Sequence, residues 1–136
     1  MSNVSRGQKK ETIARKMLEE EGWICWRTIR LRFLNLDLWG LFDLCGWRKH
    51  ERKYVQVKSS KVGLGAAAME AIISTKGVEG ISIREFEETT NANESVELWI
   101  YEAGRWKGRG KNKKFNKAMW YRFELIDGVL KPIQNV

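Results

Sequence analysis

Asp43 stands inside an apolar run, Leu41-Phe42-Asp43-Leu44, and thirteen positions later the chain carries Gln56-Val57-Lys58. If both segments are strands of one hairpin, Asp43 comes close to Gln56 and Lys58, which share a face because strand side chains alternate with period two. A carboxylate, an amide oxygen and an ammonium then converge on one spot. The two oxygens are hard donors of the kind Mg²⁺ or Mn²⁺ accepts, and such an ion keeps waters and takes phosphate oxygens. A bound divalent ion polarises a phosphate and acidifies its water, while a neighbouring ammonium stabilises charge building on phosphorus. Read by spacing alone, the same residues also suit a solvated Asp–Lys pair beside a charged turn.

These residues resemble the PD-(D/E)XK nuclease superfamily, above all its Holliday-junction-resolvase and replication-repair branches. Those proteins open with a helix bearing a Glu. A strand follows, then a strand with Asp after Gly or Pro, then a strand with Glu-x-Lys. The matching pieces are Glu11, Gly40-Leu41-Phe42-Asp43 and Gln56-Val57-Lys58-Ser59-Ser60, spread over residues 5–73. The resemblance implies a restriction-endonuclease-like core. It also implies a Mg²⁺- or Mn²⁺-dependent endonuclease acting on DNA, in particular branched or junction DNA. By the same resemblance Glu11, Asp43, Gln56 and the Val57 carbonyl hold the metal, and Lys58 is the catalytic lysine. Gln56 departs from the commoner Glu and leaves the site one negative charge short. A catalytically silent nucleic-acid-binding module is therefore the second expectation, and a basic accessory protein with an accidental motif the third. Relatives of this kind commonly act as homodimers, since one junction offers two related scissile strands. Compact nucleases of this sort are frequent in archaea, phages and viruses.

Elements must position these groups. Residues 5–21 read as a helix with Ser5 as cap, Gly22 as stop, and a stripe of Ile13, Ala14, Met17 and Leu18. Glu11 lies at the edge of that stripe. Residues 23–33 alternate as a strand, 34–41 are ambiguous, 42–47 form a second strand, 48–52 a charged turn and 53–59 a third strand. Gly63 and Gly65 loosen the chain before a helix at 66–75. Strands are expected at 81–87, 96–102 and 119–125, and Asp127-Gly128 is a tight-turn signal before Val129 and Leu130. The order α-β-β-β-α-β-β-β predicts an α/β (α+β) fold, a mixed central sheet flanked by helices.

The 136 residues suit a single domain, with core motifs in 5–75 and further strands in 76–136. A hydrophobic share of 43% argues for a folded core, and several of the seven tryptophans are expected inside it. Net charge is +8, which favours a polyanion partner. Cys25 and Cys45 form no CxxC pair and no zinc spacing; two buried thiols are expected, with a disulfide between them as the alternative. No apolar leader or membrane-length run is present, so an intracellular, cytoplasmic, soluble protein without a membrane partner is expected. The single histidine, His50, falls in the charged turn and is expected to be exposed.

Charge is sorted along the chain. Residues 79–102 hold seven Glu against Arg84 alone, and are expected to form the outward face of two strands. Residues 105–117 hold Arg105, Lys107, Arg109, Lys111, Lys113, Lys114 and Lys117 and no acid. Trp106 and Phe115 interleave with them, which suits stacking plus phosphate contact, and the stretch is expected to be a loop or extended hairpin tip that binds DNA. Arg30, Arg32 and Ser59 are further candidates for phosphate contact.

Overall fold

Ala14 and Leu18 fall one turn apart on the first helix and are fully buried. That stripe makes the helix amphipathic and docks it on a sheet. In the computed structural model, residues 3–27, 29–31, 34–36, 41–77 and 79–133 are described, with side chains from residue 9 onward except at 27–40 and 78. Helix α1 spans Asn3–Glu20. It begins two residues before the expected cap Ser5, because nothing between Asn3 and Ser5 breaks a helix.

Strand β1 (Ile24–Arg27) follows. The expected single strand over 23–33 divides here. Its second part becomes β2 (Ile29–Leu31), which pairs antiparallel with β3 (Leu34–Leu36) in a separate ribbon. The register explains the division: Ile29 partners Leu36 and Leu31 partners Leu34, so the apolar pattern of 29–36 is complementary to itself. Then come β4 (Leu44–Arg48) and β5 (Glu51–Ser59), joined by a turn at Lys49 and His50. His50 is exposed, as expected.

Two short helices, α2 (Ser60–Gly63) and α4 (Ile83–Glu87), flank the longer α3 (Ala66–Ser74). The segment 81–87 was expected as a strand, and its helix is a correction with a local cause. Ser82 Oγ accepts from Glu85 N at 3.1 Å, and Glu85 Oε1 accepts from Ser82 N at 3.2 Å. This reciprocal cap satisfies two backbone donors and outcompetes the alternation of Ile81 and Ile83. Ser82→Ala is expected to cost about 1–2 kcal/mol, read as a lower urea midpoint at unchanged m-value; no shift in midpoint would mean that packing alone holds α4.

The chain continues through β6 (Glu94–Glu102), β7 (Arg105–Lys107), a 3₁₀ turn (Gly110–Asn112), β8 (Lys114–Asn116), β9 (Met119–Ile126) and β10 (Val129–Pro132). Asp127 and Gly128 have φ of 50° and 79°, the paired left-handed conformations of a two-residue hairpin turn. The main sheet has order β1-β4-β5-β6-β9-β10, antiparallel except for the parallel β5–β6 pair, whose crossover carries α2 to α4. In the main sheet three strands precede the crossover and three follow it; of the expected strands 96–102 and 119–125 are present, 81–87 is replaced by α4, and 129–132 adds an edge strand. The fold is mixed α/β.

Each sheet face has its own core. On one, α1 packs Ala14 and Leu18 against Leu44, Val55, Val57 and Trp99. On the other, Phe42, Tyr54 and Phe86 form an aromatic trio with centroids 4.9–5.5 Å apart, among Ile73, Ile83, Val96 and Leu125. Fully burying a side chain such as Phe42 contributes about 1.5–3 kcal/mol. Trp23 and Trp99 are core residues, whereas Trp26, Trp47 and Trp106 are exposed. Cys25 packs with the first cluster and Cys45 belongs to the second, and both thiols are free. Burial pushes each of them up to about 11. Among the described residues, no helix is long and apolar enough to cross a membrane.

Candidate functional site

Asp43 is the last residue before β4, and it is fastened to β5 twice. Its backbone N donates to the Val55 carbonyl at 2.9 Å, and its Oδ2 accepts from Val57 N at 3.0 Å. The β4–β5 register ends at Leu44 opposite Val55, so at Val57 a carboxylate stands where the next ladder bond would be. These two bonds straddle Gln56. The Asp43 carboxylate is therefore held in the plane of the sheet, within one residue of Gln56, and is buried at 6% exposure.

Gln56 and Lys58 share the sheet face that carries α3 and α4. Both are half-buried and line a cleft of about 290 Å³ against Ala68, Ala71 and Ile72 of α3. Lys76 lines the same cleft, a residue with no signal in the sequence, and it is engaged by Glu85 at 2.9 Å. The close approach of α2 needs Gly63. A Cβ there would lie 2.9 Å from Ile72 Cδ1, 3.0 Å from Ile100 Cδ1 and 3.1 Å from Lys58 Cβ. A larger residue there would require the ends of Ile72 and Ile100 and the Cβ of Lys58 to give way.

Glu11 approaches from the other side of the sheet. It is 4% exposed and follows the stripe of Ala14 and Leu18, which packs on Val55 and Val57. Arg48 Nη1 donates to the Glu21 carbonyl at 2.9 Å, which sets the C-terminus of α1 beside the β4–β5 turn. Glu11 lies about 15 Å back along the helix at about 1.5 Å per residue, and β5 covers a similar distance from Glu51 to Gln56 at about 3.3 Å per residue. Glu11 thus belongs to the helix on the face opposite Gln56 and Lys58. The expected four-residue set is arranged as three layers: Glu11 on one face, Asp43 in the sheet plane, and Gln56 with Lys58 on the other face.

The donor chemistry fits a hard divalent cation. Asp43 and Glu11 supply carboxylates, Gln56 an amide oxygen, and Val57 a backbone carbonyl on the strand edge that faces Asp43. Among the described residues, no three His, Cys, Asp or Glu side chains form a metal-holding group. A cation bound here would rest on two carboxylates at most and on neutral oxygens for the rest.

No family model, no characterised protein and no solved structure matches the chain.

The expected nucleic-acid residues divide. Residues 105–116 form a hairpin of β7 and β8, one of the two expected forms, with Arg105 opposite Asn116, Trp106 opposite Phe115 and Lys107 opposite Lys114. Arg105, Lys107, Arg109, Lys111, Lys113, Lys114 and Lys117 are all exposed. Ser59 ends β5 opposite Tyr101 of β6, is half-buried, and makes no side-chain cap bond to α2. Arg30 is described only as a β2 backbone position paired with Asn35. Arg32 lies outside the described residues.

The acidic stretch is corrected in one respect. Glu97 was expected to face outward, but it is 3% exposed. Its carboxylate accepts from Lys53 Nζ at 2.8 Å and Trp99 Nε1 at 2.8 Å, and lies 3.6 Å from Arg122 Nη2. Arg122 in turn donates to Glu21 at 2.7 and 3.2 Å and lies over the Trp99 ring at 3.9 Å. Cations on the neighbouring strands β5 and β9 draw this Glu inward, and no pattern along the sequence reports that. The network seats the C-terminus of α1 on the sheet, away from the Asp43 end.

Proposed function

We infer that this protein is a metal-dependent nuclease that hydrolyses phosphodiester bonds in DNA, built on a restriction-endonuclease-like core. The observation that carries the reading is positional. Strands β5 and β6 are parallel, so the end of β5 that bears Gln56, Lys58 and Ser59 is also the end from which β6 runs on toward the basic hairpin. A strand of DNA gripped by the hairpin is thereby brought toward the Asp43 end of the sheet. The resemblance to PD-(D/E)XK nucleases supports the same assignment through Glu11, Asp43, Gln56 and Lys58. So does the strand order, two antiparallel pairings followed by a helix-bridged parallel one.

A bound Mg²⁺ or Mn²⁺ supplies Lewis acidity and an acidified water. Asp43 offers its carboxylate already oriented by Val57 N, which removes reorganisation from the reacting state. Gln56 contributes a neutral oxygen. Lys58 brings a positive charge to the phosphate as negative charge builds on it. The apolar wall of α3 limits water around that ammonium and so strengthens its effect.

The test is cleavage of four-way junctions, flaps, duplexes and single strands with Mg²⁺, Mn²⁺ or EDTA. Metal-dependent cleavage that EDTA abolishes is expected, and cleavage undiminished in EDTA would overturn the reading. The Gln at position 56 favours one alternative, a nucleic-acid-binding module without catalysis. Gln56→Glu separates the two, because it restores the missing negative charge. A working site should bind Mn²⁺ at least about fivefold more tightly, as an added unit charge near 4 Å is worth roughly 1 kcal/mol even in water. Absence of cleavage in both forms, with salt-sensitive DNA binding retained, would select the silent module.

A further inference from the structure

The hairpin at 105–116 has two unlike faces. Trp106 and Phe115 are directly opposite and share one face, with ring centroids 5.2 Å apart and planes at 51°. Lys107 and Lys114 are also directly opposite and share the other face. The ring pair is a favourable cross-strand contact, whereas the lysine pair is not. Trp106 and Phe115 remain 60% and 52% exposed. Like charges placed opposite each other repel.

The rings are nevertheless held in place. Gly104 has no Cβ, and one added there would lie 2.7 Å from Phe115 Cζ, so the phenyl ring rests directly on the backbone. Gly108, with φ of 90°, turns the chain tightly enough that a Cβ would lie 2.7 Å from the Asn112 carbonyl oxygen. Lys113 Nζ lies over the Trp106 ring, 5.0 Å from its centroid. An aromatic pair anchored at Gly104, an ammonium over one of its rings and a lysine pair behind it form a surface that suits a flat π-system joined to an anion.

We propose that the Trp106–Phe115 face is a stacking platform for unpaired bases of DNA, with Lys113 taking the adjoining phosphate and Lys107 and Lys114 the flanking backbone. The proposal rests on the nucleic-acid reading above and deepens it, because it names single-stranded or branched substrate over continuous duplex. In a continuous duplex the base faces are already stacked on one another and only phosphates are offered. An unpaired base offers its face to any aromatic ring regardless of sequence.

The experiment uses the full chain in EDTA, so that binding is measured without cleavage. A labelled oligo(dT) and a blunt duplex of equal length are titrated at two salt concentrations. Trp106→Ala is expected to weaken oligo(dT) binding about tenfold while changing duplex binding less than about twofold. Trp106→Phe should recover most of the loss. Lys107→Ala and Lys114→Ala should weaken both ligands alike and lower the salt slope by about one each. Equal losses on both ligands for Trp106→Ala, or no loss on either, would overturn the platform. Because no turnover is read, a protein that fails to cleave can still pass this test, and one that cleaves can still fail it.

Discussion

Lys58→Ala is expected to lower DNA cleavage by at least about 100-fold, the usual loss when one preorganised charge-stabilising donor is removed. DNA binding in EDTA should stay within about twofold. Single-turnover cleavage on saturating substrate is the measurement, since it reads the chemical step rather than association. Lys58 is the most informative position of the set. It is half-buried at the cleft, so its truncation leaves no buried donor without a partner. Asp43→Ala is less clean, because Asp43 Oδ2 is the acceptor for Val57 N. Losing it strands a buried N–H at about 1–3 kcal/mol, and any loss of cleavage would mix chemistry with folding. Full cleavage by a folded Lys58→Ala protein would remove that residue from the mechanism and leave the basic hairpin as the functional feature.

The largest effect on stability is expected at Glu97. Glu97→Ala leaves Lys53, Arg122 and the Trp99 indole facing a cavity without their common acceptor. Breaking a buried ionic network in this way costs about 3–5 kcal/mol, a large part of the 5–15 kcal/mol that holds a typical domain together. The melting temperature should fall by about 10–20 °C. Glu97→Gln keeps an acceptor for the indole and should fall less. Equal melting temperatures for Glu97→Ala and the native chain would mean that the network is solvated and weak.

Acid should loosen the same region through Glu21. Burial alone would push the Glu21 carboxyl up, but the Arg122 guanidinium, with Lys53 and Arg48, holds it below its ordinary value of 4.5. A lowered folded pKa stabilises the fold above the ordinary value, and that contribution is lost as pH falls through the lowered one. Glu124 runs the other way. Burial and the nearby Glu97 raise it, so its protonation on acidification favours the folded state and offsets part of the loss.

How much of this was legible in the sequence varied with the range of the interactions involved. The Asp127-Gly128 turn, the β4–β5 hairpin and the adjacency of Asp43 to Gln56 depend on neighbours within about fifteen positions, and local patterns report them. The helix at 83–87 was also local, but Ile81 and Ile83 suggested a strand while Ser82 and Glu85 specified a cap, and the backbone hydrogen bonds decided between them. The division of 23–33 depended on a pairing partner, 34–36, whose complementarity is visible only once both segments are considered together. Glu97 could not be read at all. Its burial depends on Lys53 and Arg122, brought beside it by sheet order. Glu11 shows the same limit within the candidate site: its level along the helix was legible, but the face from which it approaches was set by the docking of α1.

Asp43 Oδ2 is committed to the backbone of β5. The same oxygen that would serve chemistry also closes a gap in the hydrogen-bond ladder, so folding and arming the site are one event. A chain with β4 slipped by a single residue against β5 would lose its ladder continuity and its carboxylate together. Misregistered molecules would then lack the oriented carboxylate from the outset, so only correctly paired chains could carry a working site.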